Sequence, residues 1–169
     1  MDKYYLYPGE IFSNKKPHIV DTILGSCIAV FLWDPFLQLG SINHYMLPLW
    51  NKEGTPSFKY GDIAIPELIA RMKKMGSSKE NIKAKLFGGS QISNSRGTFN
   101  IGKRNILVAQ NMLEIEQIPI VSHSVGGAFG RKVIFYSGSG DVLISYIKHD
   151  LNTIDQQSSN HKFNLSTNE

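Results

Sequence analysis

The sequence predicts a single α+β domain in which a mainly antiparallel β-sheet packs against two main helices. Three observations predict this fold: several short apolar runs of strand length, two segments whose apolar residues recur at helical spacing, and a glycine-rich turn between two alternating runs near the C-terminal end. The length of 169 residues fits one domain, and 41% apolar residues are enough to form its core.

The strands are predicted from short apolar runs that end at turn residues. Residues 28–33 (IAVFLW) are continuously apolar, which is typical of a buried strand. Residues 40–47 form the next strand, which Pro48 ends, and the two are expected to pair antiparallel. Further strands are expected at residues 4–7, 82–87 and 119–124, with a tight hairpin between residues 132–136 and 142–147.

The helices are predicted from apolar residues that recur every three or four positions. The first begins near Asp62 and ends at Gly76, and its apolar stripe consists of Ile65, Leu68, Ile69, Met72 and Met75. The second spans residues 101–117 after a polar loop at 90–99, with Asn100 in position to cap its N-terminus. One domain is expected over residues 1–150, and the polar tail at 151–169 is expected to be disordered.

The composition excludes several classes of function. The net charge of +4 is mild and no dense Lys/Arg block occurs, so nucleic acid is not an expected partner. No apolar run reaches the roughly 20 residues of a membrane-spanning helix, so membrane insertion is not expected. The single cysteine forms neither an internal disulfide nor a zinc site, so no metal or other cofactor is expected, and a reducing cytoplasm is the expected location.

Cys27 and His44 are the first candidates for chemistry. Cys27 follows Gly25-Ser26 at the mouth of a predicted strand, where its sulfur is more exposed to a cleft than in the middle of a strand. A lone cysteine is more often a small buried apolar residue, so this position alone does not establish a nucleophile. His44 on the next strand shares a face with Cys27 if the paired residue numbers add to an odd number.

A thiol and an imidazole on one face would act as a nucleophile and a general base. The adjacent imidazole is expected to lower the pKa of the Cys27 thiol, whose thiolate then attacks a carbonyl carbon while the imidazole transfers protons. Backbone N–H groups around Gly25, Ser26 and Cys27 are expected to stabilise the oxyanion.

A third group is expected to orient the imidazole of His44. Thr22, Asp21 and Ser41 are the candidates by their proximity in the sequence. Among the other histidines, His123 is the second choice of base.

Four further residues have expected positions. Arg131 is expected either to bind a substrate carboxylate or to pair with Asp141, and the structural role is favoured. Tyr45 and Phe129 are expected to line a substrate groove. His18 follows a proline and is expected in a loop.

Five motifs stand out beside these single residues: 22–30 (TILGSCIAV), 43–48 (NHYMLP), 87–89 (FGG), 100–105 (NIGKRN) and 126–131 (GGAFGR). Together they resemble the CheD family of chemoreceptor glutamine deamidases. The resemblance extends over about residues 5–148, and its most specific part is the Leu-Gly-Ser-Cys string followed by His-x-Met-Leu-Pro.

The resemblance implies a cysteine amidohydrolase of bacterial chemotaxis that converts glutamine side chains to glutamate and ammonia through a thioester. It implies Cys27 and His44 as the catalytic pair and an upstream threonine as third member, either at Thr22 or at the position of Asp21. It also implies the cytoplasmic helices of chemoreceptors as substrate, the phosphatase CheC as a partner, and a fold resembling that of glutamine-deamidating toxins. Two alternatives stay open: a CheD-like regulator that binds the phosphatase or receptor without chemistry, and a peptidase or small-molecule amidase.

Overall fold

The computed structural model describes residues 1–91 and 100–148. Within these residues the chain forms nine strands, two α-helices and one short 3-10 helix. The strands are β1 (Asp2–Tyr5), β2 (Ile11–Ser13), β3 (His18–Leu24), β4 (Ile28–Asp34), β5 (Leu39–Asn43), β6 (Lys83–Gly88), β7 (Ile120–Val125), β8 (Gly130–Tyr136) and β9 (Val142–Ile147). The helices are α1 (Gly61–Lys74) and α2 (Ile101–Ile115), and the 3-10 helix spans Lys79–Asn81.

The strands form two sheets, and the helices pack on one of them. A four-stranded sheet has the order β1-β3-β8-β9, and a five-stranded sheet has the order β2-β5-β4-β6-β7. The pairs are antiparallel except for β1 with β3 and β6 with β7. The predicted α+β fold with mainly antiparallel strands and two helices is confirmed, and the structure adds a second sheet that the sequence pattern does not reveal.

Strand β4 lies in the middle of the five-stranded sheet and separates two hydrophobic cores. Val30 and Leu32 pack in the core on the side of the helices, whereas Ala29 and Phe31 pack in the core between the two sheets. Because both faces are covered, every residue from Ile28 to Leu32 is buried, which explains the continuous apolar run in the sequence.

Both predicted helices are confirmed. The side-chain oxygen of Asn100 accepts the backbone N–H of Lys103 at 2.9 Å and so caps α2. Gly76, just after α1, has φ +116°, a left-handed conformation that suits the residue following a helix. The hairpin formed by β8 and β9 is also confirmed.

Strand β5 is shorter than predicted because its ladder with β2 becomes irregular at His44. The His44 N–H donates to Glu10 O at 3.1 Å, but Gly9 rather than Glu10 donates to His44 O, at 2.7 Å. Gly9 has φ +85°, so the chain forms a bulge opposite His44. Tyr45 then returns to β4 through a single bridge with Ile28.

Strand β3 is not predicted by the sequence pattern, although it lies at the centre of the four-stranded sheet. The expectation that His18 lies in a loop is wrong, since His18 is the first residue of β3. Val20, Thr22 and Leu24 are buried along this strand. A polar residue at Thr22 interrupts the apolar alternation that would have indicated a strand.

Two expectations concern residues that the structure does not describe. The expected polar loop at 90–99 lies mostly outside the described residues, and the expected tail at 151–169 lies outside them entirely. No helix within residues 1–91 and 100–148 is long and apolar enough to cross a membrane.

Gly88 determines how closely the end of β6 approaches β4 at Cys27. It has φ +109°, and an added Cβ would lie 2.2 Å from the carbonyl oxygen of Cys27. The next residue, Gly89, donates its N–H to the same oxygen at 2.8 Å. The two strands can therefore lie this close only because residue 88 has no side chain.

We predict that Gly88→Ala lowers the free energy of unfolding by about 3 kcal/mol, because a clash with β4 adds to the cost of a left-handed conformation. Gly127→Ala is the matched control, since Gly127 has φ +76° and nothing within 4 Å of an added Cβ. The control is expected to lose only about 1 kcal/mol. Equal losses for the two variants in urea unfolding would contradict the close-approach argument.

Candidate active site

Cys27 and His44 lie on the same face of the five-stranded sheet. Ile28 pairs with Tyr45 in the same register as the rest of β4 and β5, so the paired residue numbers add to an odd number. The condition stated from the sequence is therefore met, and the two side chains are diagonal neighbours. Cys27 is half-buried and packs against the core between the sheets.

Thr22 reaches His44 from the other sheet. Its Oγ1 lies 2.8 Å from His44 Nδ1 and 2.8 Å from the carbonyl oxygen of Leu6. A carbonyl oxygen only accepts, so the Thr22 hydroxyl donates to Leu6, and His44 Nδ1–H donates to Thr22. The proton of the neutral imidazole therefore sits on Nδ1, and Nε2 keeps its lone pair.

Of the three candidates for the orienting group, Thr22 is the one that hydrogen-bonds to His44 in the described part of the chain. Asp21 is its neighbour on β3, so its side chain points to the opposite face of the sheet. Ser41 pairs with Leu32, whose side chain lies in the core on the helix side, so Ser41 also faces away from His44.

Burial keeps both members of the pair neutral. His44 is 1% exposed, and burial lowers its pKa from 6.5 to about 4, although the Leu6 carbonyl and Glu10 act in the opposite direction. Burial also raises the pKa of the Cys27 thiol, against a smaller lowering by its own backbone N–H. The expected lowering of the thiol pKa is therefore wrong, because a neutral imidazole has no charge with which to stabilise a thiolate.

The second ring nitrogen of His44 is available as a base. Nε2 is buried and has no hydrogen-bond partner among the described residues, so it does not hydrogen-bond to the Cys27 thiol in this state. Catalytic hydrogen bonds often form only when the substrate is bound, so this absence does not exclude Nε2 as a base. Within residues 1–91 and 100–148, no group of three or more His, Cys, Asp or Glu side chains is placed to hold a metal ion.

The turn at Gly25-Ser26-Cys27 is held in place by hydrogen bonds that its three carbonyl oxygens accept from other segments. The bonds are Ser90 N–H to Gly25 O at 2.9 Å, Ser90 Oγ to Gly25 O at 2.8 Å, Asn105 Nδ2 to Ser26 O at 2.9 Å, and Gly89 N–H to Cys27 O at 2.8 Å. In a trans peptide the N–H points opposite to the carbonyl that precedes it, so the N–H groups of Ser26 and Cys27 point away from these partners. No backbone carbonyl of the described residues accepts either N–H.

Residues 46–146 match the family described as CheD, chemotactic sensory transduction, and this span is more than half of the chain. The chain belongs to the CheD family. The matched span begins after Cys27 and His44, and it contains the motifs at 87–89, 100–105 and 126–131 that the sequence shares with CheD proteins.

Individual CheD proteins extend the similarity. The probable chemoreceptor glutamine deamidase CheD of Sulfurimonas denitrificans is 40% identical over 149 residues, which cover 87% of this chain and 96% of that protein. The protein of the same name from Trichlorobacter lovleyi is 43% identical over 143 residues, 84% of this chain and 89% of its own. CheD 1 of Shewanella oneidensis is 35% identical over 159 residues, with coverages of 90% and 77%. The similarity to CheD proteins therefore extends well beyond residues 46–146.

Two residues that hold the turn at Gly25-Ser26-Cys27 are missed by sequence reasoning. Asn105 ends the 100–105 motif shared with CheD proteins, but the motif alone does not say what its side chain contacts. Ser90 directly follows Gly88-Gly89, and its role depends on how β6 packs beside β4. The shared motif is thus the only signal in the sequence that points to Asn105.

Three secondary expectations are corrected or refined. Arg131 is 3% exposed and structural as expected, but its guanidinium donates to Ser124 Oγ, Phe129 O and Gly126 O rather than pairing with Asp141. The expectation that Tyr45 lines a groove is wrong, because its ring is fully buried. Phe129 is 47% exposed, so its position at a groove stays a prediction.

We predict that His44 makes the stability of this CheD-family chain dependent on pH. Because its folded pKa of about 4 lies below the unfolded value of 6.5, the unfolded state binds more protons between these values. Its contribution to the free energy of unfolding is complete above pH 6.5 and is lost as the pH falls toward 4. The loss should approach about 3 kcal/mol in urea unfolding.

His44→Gln is the matched variant, since glutamine is polar but does not titrate. The difference in pH dependence between wild type and variant isolates the imidazole from the carboxylates of the chain. The same decline in both proteins would contradict a buried neutral His44.

Proposed function

We propose that this chain is a protein-glutamine glutaminase that deamidates glutamine side chains of methyl-accepting chemoreceptors in bacterial chemotaxis. The observation that carries the proposal is the pair of Cys27 and His44 on one face, with Nδ1 of His44 bound to Thr22 and Nε2 left as a base. The substrate is taken from the relatives, which are named probable chemoreceptor glutamine deamidases.

In the first half of the reaction, Cys27 Sγ attacks the side-chain amide carbon of glutamine. The thiol is neutral at rest, so its proton passes to His44 Nε2 as the C–S bond forms. The N–H groups of Ser26 and Cys27 bind the oxyanion, and Thr22 accepts from Nδ1–H of the imidazolium. The imidazolium then protonates the amide nitrogen, the C–N bond breaks, ammonia leaves, and a thioester remains on Cys27.

In the second half, water hydrolyses the thioester. Water gives a proton to His44 Nε2 as its oxygen attacks the carbonyl carbon, and the C–S bond breaks. The sulfur takes back the proton from Nε2, and the glutamate side chain is released. One water is consumed and one ammonia is formed, so these steps require no metal or other cofactor.

Exposed apolar residues near Cys27 support a protein substrate. Met46 lies across from Cys27 just beyond the Ile28–Tyr45 bridge and is 36% exposed. Leu47 and Leu49, which follow closely in the chain, are 39% and 55% exposed. A receptor helix can place an apolar stripe on such a surface, whereas free glutamine has too few atoms to use it.

The cellular location of the enzyme and a second binding partner are also part of the proposal. Chemoreceptor helices that carry the substrate glutamines lie in the cytoplasm, so the enzyme is proposed to act there. The phosphatase CheC is proposed as a binding partner from the family resemblance.

A regulator that binds receptor or phosphatase without chemistry is the alternative function. One observation favours it: His44 Nε2 makes no hydrogen bond to the Cys27 thiol in the described structure. In that case the buried pair would serve packing, and substitution of Cys27 would leave the biological activity intact.

We predict that Cys27→Ala abolishes deamidation of a cytoplasmic receptor fragment, a loss of about 1,000-fold or more, because no other nucleophile takes over the attack. The measurement is mass spectrometry of tryptic receptor peptides, in which each glutamine converted to glutamate shows the mass gain of an amide-to-acid exchange. Deamidation by Cys27→Ala at the wild-type rate would contradict the assigned nucleophile.

Two histidine variants complete this experiment. His44→Asn should lose about 100-fold or more of the rate, because proton transfer to and from the sulfur is removed. His123→Asn is its control, since His123 is exposed on β7 and is expected to keep the wild-type rate. A wild-type protein that binds the receptor but releases no ammonia would favour the regulator.

A further inference from the structure

The side chain of Asn105 joins the turn at Gly25-Ser26-Cys27, called the nucleophile turn below, to the segment that follows His44. Its Nδ2 donates to Ser26 O at 2.9 Å and to Met46 O at 2.9 Å. Ser26 precedes Cys27, and Met46 follows His44 by two residues. We propose that Asn105 is a positioning residue for the deamidation: it fixes the peptide whose N–H, on Cys27, binds the oxyanion.

Asn105 acts at the point where the ladder between β4 and β5 ends. The last backbone bonds of this ladder run between Ile28 and Tyr45, at 3.1 and 3.0 Å. Beyond them the Met46 N–H turns to Lys59 O instead, at 2.8 Å. The two protons of the Asn105 amide therefore replace the missing backbone bonds and cross-link the two segments on either side of the site.

The position of Asn105 is itself fixed by close packing. Asn105 is fully buried, and its own carbonyl accepts the Tyr45 hydroxyl at 2.5 Å. One turn earlier in α2, an added Cβ on Gly102 would lie 2.4 Å from Gly89 O, so the helix lies directly against the turn that follows β6. Because Gly89 also donates to Cys27 O, the amide and the nucleophile turn are held in one rigid arrangement.

The orientation of one peptide plane links Asn105 to the chemistry. The carbonyl of Ser26 and the N–H of Cys27 belong to the same planar unit and point in opposite directions. While Asn105 holds the carbonyl, the N–H faces the side of the substrate. Without this bond the plane is free to rotate, and the oxyanion loses a preorganised donor although the sulfur keeps its place.

This inference rests on the proposed deamidase function. Its test distinguishes an effect of the substitution on the oxyanion donor from an effect on the reactivity of the thiol. Asn105→Ala is expected to lower kcat for ammonia release by about 100-fold with KM changed by less than about threefold. Alkylation of the single cysteine by iodoacetamide needs a thiolate but no oxyanion donor. The alkylation rate is expected to stay within about threefold of wild type, and the midpoint of its pH profile to rise only slightly, because the Cys27 N–H has the smaller of the two effects on the thiol pKa.

Two further variants keep the test decisive. Asn100→Ala removes the cap of the same helix, so it loosens α2 without touching the turn, and is expected to keep the wild-type kcat. Asn105→Ser retains one hydroxyl donor and serves if the alanine variant does not fold, with an expected loss in kcat of about tenfold.

Each outcome decides the matter. Ammonia release by the wild type with unchanged kcat in Asn105→Ala, or in Asn105→Ser, overturns the positioning role and leaves the deamidase function standing. A fall in kcat accompanied by an equal change in the alkylation profile overturns it too, because the thiol rather than the oxyanion donor is then disturbed. A wild type that releases no ammonia from receptor fragments overturns the deamidase function and the positioning role together.

Discussion

A hydrogen bond that crosses between the two sheets determines what His44 can do. Thr22 on β3 and His44 after β5 belong to different sheets, and their side chains meet at 2.8 Å in the core between them. Since the Thr22 hydroxyl is committed to Leu6 O, it can only accept from the imidazole. The packing of one sheet on the other thus selects the tautomer, which leaves the lone pair on Nε2.

The burial that holds this arrangement also defines how the pair must react. It lowers the pKa of His44 and raises that of Cys27, so a preformed thiolate–imidazolium pair is disfavoured at neutral pH. In the proposed reaction the proton therefore moves while the sulfur attacks, and the developing charge has to be stabilised by groups that are already oriented. We propose the backbone N–H groups of the peptides that Asn105 and Ser90 hold for this purpose, because their dipoles are fixed before the charge develops.

Local sequence patterns were sufficient to predict both helices, most of the strands, and Cys27 and His44 as candidate residues. The apolar run of β4 and the cap at Asn100 are local signals, and each is found where it was expected. The contact of Thr22 depends on how two sheets pack, and that of Asn105 on where α2 lies above a turn, so neither is encoded in spacing along the chain. The register of β4 and β5 is an intermediate case. The condition under which Cys27 and His44 share a face was stated from the sequence, but only the observed pairing of Phe31 with Ile42 and the bridge of Ile28 with Tyr45 show that it is met.

The tautomer of His44 is the most direct test of this account. Nitrogen-15 NMR of the imidazole near neutral pH, with Thr22→Val for comparison, distinguishes a proton on Nδ1 from one on Nε2. We expect the proton on Nδ1 in the wild type, and an altered tautomer distribution once the Thr22 hydroxyl is removed. A proton on Nε2 in the wild type, or a charged ring at that pH, would contradict it.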